Sequence, residues 1–168
     1  MRRRTVLAGA GAAVVAGGLT WAGVAVFTPD DRPLALVYRG PAACQDCAEA
    51  VAALLRSTTT PLRVEFCGPD EDLALTRETL DTATIYAQPG GGTLSDGWRD
   101  MRRYAGDIRD WTRAGGHYLG FCLGGYLAGA TPGFALLPGD TDQYITTRRA
   151  SVRTDKDALV TVRWRNQP

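Results

Sequence analysis

The chain has 168 residues, of which 45% are hydrophobic and 22% are charged, and its formal net charge is +1 at pH 7. This composition is typical of a globular protein and excludes a disordered, collagen-like or coiled-coil chain. The nearly balanced charge gives no indication of a nucleic-acid partner, and the length is that of one main domain.

The start of the chain predicts an export segment. Three arginines at positions 2–4 precede an uncharged stretch over positions 5–27, and this is the order of charged and apolar regions in a signal peptide. The paired arginines resemble a twin-arginine signal, which directs the export of a folded protein. Positions 23–25 suit cleavage, but the apolar stretch is also long enough to stay as a hydrophobic membrane-anchor helix. We therefore expect residues 1–27 to carry residues 28–168 across the cytoplasmic membrane, into an extracellular, periplasmic or membrane-anchored location.

From position 30 onward, short apolar runs alternate with longer mixed ones, which is typical of an α/β fold with a mainly parallel sheet. The predicted strands lie at residues 34–38, 62–66, 83–87, 117–121 and 158–164. The predicted helices lie at residues 44–57, 70–81, 95–113 with Ser95 as the cap, and from Cys122 to about 130.

The sequence GFCLG at positions 120–124 lies where the fourth predicted strand meets a helix. It has the form of a nucleophile elbow, with Cys122 in place of the usual serine. Gly120 and Gly124 fit this interpretation, because the nucleophile has a strained backbone and side chains beside it would collide with the strand and the helix. A small buried cysteine in an ordinary strand-to-helix turn is the alternative.

A glycine-rich loop ends the preceding strand at the same edge of the predicted sheet. Its residues are Gly90, Gly91 and Gly92. Ligands bind at the carboxyl edge of such sheets, and backbone N–H groups there can form an oxyanion hole. The loop therefore favours a functional role for Cys122.

The order of PGGG followed by GGHYLGFCLGGY is similar to the class I glutamine amidotransferase-like superfamily, and most resembles the N-terminal domain of biotin-protein ligases, over roughly residues 34–130. The resemblance implies a flavodoxin-like three-layer sandwich. It also implies that Cys122 is the nucleophile, and that the N–H of Leu123 and one N–H from the Gly90–Gly92 loop stabilise an oxyanion. Biotin ligation is not implied, because that chemistry belongs to a separate domain in the family.

The chain departs from the active members of that superfamily, which carry a histidine and an acid after the cysteine. Its one histidine, His117, precedes Cys122 by five residues, and five residues of a strand span about 16 Å. A helix N-terminus can favour a thiolate, but it does not supply a proton shuttle. Because family members continue past a strand comparable to residues 158–164, we expect a truncated or degenerate member.

Three further cysteines permit three interpretations. Cys44 and Cys47 form a C-x-x-C at the start of the first predicted helix, and Cys67 follows the second predicted strand. We expect a structural disulfide from Cys67 to Cys44 or Cys47, as in oxidising compartments. A redox-active C-x-x-C pair and a metal site with sulfur ligands are the alternatives. We expect neither a metal nor another cofactor.

The function remains a choice between two hypotheses. The favoured one is a catalytically degenerate domain that binds an unknown small molecule or partner protein at the Cys122 elbow. The alternative is a cysteine-dependent hydrolase or amidotransferase-like enzyme that attacks a small amide or ester, with the N–H groups of Leu123 and Gly91 holding the oxyanion. Asp140, Asp142 and Tyr144 lie in a loop that either closes over this site or forms an exposed turn, and we expect the turn. We expect a membrane contact through residues 1–27 if they are uncleaved, and no nucleic-acid partner.

Overall fold

The computed structural model describes residues 30–161. Within them, four parallel strands form one sheet in the order β2-β1-β3-β4. The strands are β1 (Leu34–Tyr38), β2 (Arg63–Cys67), β3 (Ile85–Gln88) and β4 (His117–Gly120). Every residue of β1 is buried, as expected of a central strand with both faces covered. The predicted parallel α/β sheet is confirmed, and its order is that of flavodoxin-like folds.

The helices follow the strands in chain order. They are α1 (Cys47–Arg56), α2 (Arg77–Asp81), α3 (Leu94–Met101), α4 (Ala105–Arg113) and α5 (Leu123–Leu127), with 3-10 turns at Arg102–Tyr104 and Tyr144–Thr146. The long helix predicted at 95–113 is therefore interrupted by a 3-10 turn. Its cap is Thr93 rather than Ser95, because the Thr93 hydroxyl accepts the N–H of Asp96.

The helices lie in two layers, one on each face of the sheet. On one face, Val51 and Leu55 of α1 pack in a cluster with Ala35 and Val37 of β1. On the other face, the remaining helices pack in a second cluster. This cluster contains Leu36, Tyr38, Cys67, Leu80, Tyr86, Met101, Ile108, Leu123 and Leu127. The three-layer sandwich expected from the sequence is thus present.

Two predictions fall at the ends of the chain. Residues 158–161 are not in a strand and Leu159 is fully exposed, so the strand predicted at 158–164 is wrong for its first part. Apolar β-branched residues favour a strand only where a sheet accepts them. Residues 162–168 and the export segment predicted at 1–27 lie outside the described residues. Between residues 30 and 161, no helix is long and apolar enough to cross a membrane.

The carboxyl ends of β1 and β3 lie at the point in the sheet where the chain stops adding strands on one side of β1 and begins adding them on the other. β1 pairs with β2 on one side and with β3 on the other, and the chain reaches β3 only after β2. In open α/β sheets, the loops after the two strands at such a point separate and leave a crevice in which ligands bind. The loops after β1, β3 and β4 are therefore the place to look for a site.

Candidate functional site at the carboxyl edge of the sheet

Cys122 lies at the sharp bend between β4 and α5. Its backbone has φ 48° and ψ −109°, in the region that non-glycine residues rarely adopt. The thiol is free and exposed. A non-glycine residue keeps such a conformation only where its surroundings enforce it, and this is the backbone expected of a nucleophile elbow.

The two flanking glycines are required by close contacts of the backbone. A Cβ atom on Gly120 would lie 2.5 Å from the carbonyl oxygen of Gly124. A Cβ atom on Gly124 would collide with the carbonyl oxygen of Gln88, at the end of β3. The bend therefore brings the backbone of α5 directly against β3 and β4, as the GFCLG sequence predicted.

The glycine-rich loop after β3 passes beside Cys122. A Cβ atom on Gly90 would lie 3.3 Å from the Cβ of Cys122, whereas one on Gly92 would meet nothing within 4 Å. The backbone N–H groups of Gly91 and Leu123 have no hydrogen-bond acceptor among residues 30–161. An oxyanion hole requires N–H groups that are unpaired in this way.

The loop after β1 supports the glycine-rich loop from the other side. The N–H of Cys44 donates to the carbonyl of Gly90 over 2.8 Å. Gln88 is fully buried, accepts the Tyr86 hydroxyl over 2.7 Å and donates from Nε2 to the carbonyl of Ala42 over 3.3 Å. The loops after β1 and β3 are thus fixed to each other by hydrogen bonds.

A cavity of about 560 Å³ opens over Cys122. Its lining consists of Gly92, Thr93, Leu94, Cys122, Leu123, Tyr126, Thr141, Asp142 and Gln143. The Oγ1 atom of Thr141 is buried and has no hydrogen-bond partner in the described part of the chain. Buried hydroxyls are normally paired, so this unpaired oxygen beside the cavity is unusual.

The loop that contains Thr141 and Asp142 lines one side of this cavity. Asp140 anchors it, because one of its carboxylate oxygens accepts the N–H of Ala130 over 2.8 Å and that of Thr131 over 2.6 Å. Asp142 is exposed and also lines the cavity. Asp140, Asp142 and Tyr144 are exposed, as expected of a turn, but two backbone donors after α5 hold the loop beside the cavity, and no local pattern in the sequence indicates this contact.

His117 lies at the opposite end of β4 from Cys122. Its backbone N–H donates to the carbonyl of Thr84, and its side chain is exposed. The structure does not bring this side chain to the cavity, which agrees with the separation estimated from the sequence. Between residues 30 and 161, no group of three or more histidine, cysteine or acidic residues could hold a metal ion.

The disulfide joins Cys44 to Cys47, whereas Cys67 is a free, buried thiol. The predicted bond from Cys67 to either of these residues is wrong. The reason is that the side chain of Cys67 belongs to the cluster beneath α2–α5, whereas α1 covers the other face of the sheet. Burial, and secondarily the charge of Glu71, raises the pKa of the Cys67 thiol to about 12.

Several residues of the site escaped the sequence analysis. Thr93 follows the glycine loop and Tyr126 lies one helical turn after Cys122, so their spacing could have indicated them. Thr141 and Gln143 carry no local signal, because a loop distant in sequence brings them to the cavity.

Comparisons with known proteins agree with this architecture. A sequence model of the family described as "Biotin-protein ligase, N terminal" matches residues 34–151. The match spans all four described strands and every residue that lines the cavity over Cys122. No curated protein matches the chain.

Proposed function

The chain belongs to the family of biotin-protein ligase N-terminal domains, and on this premise we propose that it is a domain that binds a small molecule over Cys122 without turning it over. The observation that carries the proposal is the cavity of about 560 Å³ between the glycine-rich loop, the start of α5 and the anchored loop at Thr141. Its volume is within the range typical of small-molecule sites.

The chemistry of the cavity suits a ligand with a carbonyl or carboxylate oxygen. The N–H groups of Gly91 and Leu123 have no acceptor among residues 30–161, and they are the donors that we propose for such an oxygen. Thr141 lines the cavity, and its buried hydroxyl has no partner among the described residues. Leu94 and Leu123 supply apolar surface, so we propose a small amide or carboxylic acid as the ligand class.

The proposal of binding without turnover comes from what surrounds the thiol. Acyl transfer by a cysteine needs a base that takes the thiol proton and returns it to the leaving group. The chain contains one histidine, and His117 lies at the far end of β4. A cysteine elbow without a histidine supports binding of a carbonyl compound better than its hydrolysis.

A second candidate function is a cysteine-dependent amidohydrolase or amidotransferase-like enzyme. One observation favours it, because Asp142 lines the same cavity as Cys122. A carboxylate within reach of the thiol, directly or through one water, can act as a general base. In this case Cys122 attacks the carbonyl carbon of a small amide or ester.

The two functions are distinguished by ligand screening of the full chain. A panel of small amides, esters and carboxylic acids is tested for a rise in Tm, for protection of Cys122 from iodoacetamide, and for release of product. We expect protection without product. Release of product that is lost in Cys122→Ser would replace the binding function with the enzyme.

Matched variants test whether the ligand occupies this cavity. Gly92 lines the cavity and Gly106 lies in α4, and a Cβ on either meets nothing within 4 Å. We expect Gly92→Phe to abolish the ligand-induced rise in Tm and Gly106→Phe to retain it. Equal loss in both variants would show that the ligand binds elsewhere.

We also propose that the domain acts outside the cytoplasm. The support is the order of three arginines and an uncharged stretch in residues 1–27. If the segment is cleaved, the mass of the exported protein will show a new N-terminus near residue 26, and if it remains, the protein will fractionate with membranes. An intact chain in the soluble cytoplasmic fraction would contradict export.

A further inference from the structure

The disulfide between Cys44 and Cys47 lies on the surface, away from the thiol of Cys67. Cys44 is exposed, and Cys47 is half-buried as the first residue of α1. We propose that this disulfide is a thiol–disulfide exchange site that accepts two electrons from a dithiol. Cys44 is the sulfur attacked, and Cys47 is the sulfur released first.

The bond is poorly placed to act as a structural cross-link. It joins residues only three positions apart, and a cross-link restricts the unfolded chain less when the loop that it closes is shorter. The same turn is already closed in the backbone, because the N–H of Cys47 donates to the carbonyl of Cys44 over 3.1 Å. A role in exchange explains the bond better than a role in stability.

The position of Cys47 favours its departure as a thiolate. α1 has ten residues and begins at Cys47, so this residue lies in the turn that carries the positive end of the helix dipole. The side chain of the preceding residue, Asp46, makes no capping hydrogen bond to the first turn. The carboxylates of Asp46 and Glu49 oppose a thiolate here, and Arg39, which also pairs with Glu71, offsets part of this charge by pairing with Glu49 over 3.0 Å. A thiolate at a helix start is a good leaving group in thiol exchange.

A second cavity gives the co-reactant access to Cys44. Its volume is about 350 Å³, and Cys44 lines it together with residues that include Arg39, Gln45 and Asp46. Cys47 is not among its lining residues. The cavity therefore offers a co-reactant space beside Cys44, the exposed member of the pair.

The exchange balances in two steps. A thiolate of the dithiol attacks Cys44 Sγ, the bond to Cys47 Sγ breaks, and the electron pair leaves with Cys47, which takes up a proton. The second thiol of the co-reactant, after losing its proton, attacks its own sulfur in the mixed disulfide and releases Cys44, which is protonated in turn. The protein gains two electrons and two protons, and the dithiol becomes a disulfide.

The first experiment compares reduction of the full chain by dithiothreitol in buffer and in guanidinium chloride at the same pH. Thiols are trapped with iodoacetamide at intervals and assigned by peptide mass spectrometry. We expect Cys44–Cys47 to be reduced at least roughly tenfold faster in the folded chain, because folding supplies the helix start. An equal or slower rate in the folded chain would overturn the proposal.

The second experiment identifies the attacked sulfur in the intact disulfide. The full chain is treated with reduced glutathione under native conditions, released thiols are trapped at once with iodoacetamide, and the mixed disulfide is located by peptide mass spectrometry. We expect glutathione on Cys44 and the iodoacetamide label on Cys47, in roughly tenfold excess over the opposite pattern. The opposite pattern, or equal amounts, would refute Cys44 as the entry point.

Discussion

The phenolic hydroxyl of Tyr118 donates a hydrogen bond of 2.6 Å to the carbonyl oxygen of Gly124. Tyr118 belongs to β4 and Gly124 to the first turn of α5, so this bond joins the two elements on either side of Cys122. We predict that Tyr118→Phe lowers the free energy of unfolding by about 1 kcal/mol, the usual loss for one such bond. Urea denaturation measures the change.

Tyr126 provides the control for this substitution. It lies in α5 and lines the cavity, but its hydroxyl has no hydrogen bond to the described residues. Tyr126→Phe should leave the unfolding free energy unchanged within about 0.5 kcal/mol. Equal losses in both variants would mean that the Tyr118 bond contributes nothing specific.

Two adjacent glycines at the start of α5 should respond oppositely to alanine. A Cβ on Gly124 collides with the carbonyl of Gln88, whereas one on Gly125 finds its nearest neighbour 3.9 Å away. We predict that Gly124→Ala destabilises the fold by about 1–3 kcal/mol through forced backbone shifts. Gly125→Ala should be neutral or stabilising by up to about 1 kcal/mol, because alanine favours the helix. Thermal and urea unfolding of the pair will show whether the order holds.

The glycine loop controls access to Cys122 in a position-dependent way. A Cβ on Gly90 lies 3.3 Å from the Cβ and 3.9 Å from the Sγ of Cys122, and one on Gly92 lies in open space. We predict that Gly90→Ala slows alkylation of Cys122 by iodoacetamide several-fold, while Gly92→Ala leaves the rate near that of the wild type. Rates are read from the Cys122 peptide, and slower alkylation in Gly92→Ala alone would contradict this geometry.

The two free thiols should differ sharply in alkylation. Burial raises the pKa of Cys67 to about 12, so this thiol stays protonated and enclosed at pH 8. Cys122 is exposed. We predict that iodoacetamide at pH 8 modifies Cys122 in the folded chain and reaches Cys67 only after unfolding. Modification of Cys67 at a comparable rate in buffer would show that the core opens at β2.

The same raised pKa predicts a loss of stability in alkali. The folded chain holds the Cys67 proton up to about pH 12, whereas an unfolded thiol loses it near its ordinary value of 9.0. The contribution of Cys67 to the free energy of unfolding therefore falls as pH rises from 9 towards 12. Below pH 9 this contribution does not change with pH. We expect Cys67→Ala to show a shallower fall in unfolding free energy between pH 8 and pH 10.5. Parallel curves for the two proteins would contradict the prediction.

Local patterns predicted the sheet well, because the apolar runs of β1, β3 and β4 are each ended by glycine or proline turns. Local sequence also identified the bend at Cys122, because the backbone packs so closely at Gly120 and Gly124 that no residue with a side chain fits there. Both inferences depend on contacts between residues that are near in sequence or on neighbouring strands.

The errors arose where distant contacts decide the structure. The side chain of Cys67 faces the opposite side of the sheet from α1, and the sequence did not specify that face. The loop at Asp142 lines the cavity because Asp140 bonds two N–H groups after α5, across ten and nine residues. Neither relationship leaves a periodic pattern in the chain.

The floor and the wall of the cavity over Cys122 have different chemical origins. The floor is set by main-chain atoms: the carbonyl of Gly90 accepts from Cys44, and that of Gln88 accepts the N–H of Phe121. The wall is formed by side chains such as Thr93 and Gln143 on loops. If the cavity binds the small molecule proposed above, substitutions in the wall change its preference while the hydrogen bonds beneath remain, so this scaffold can acquire new specificities at little cost in stability.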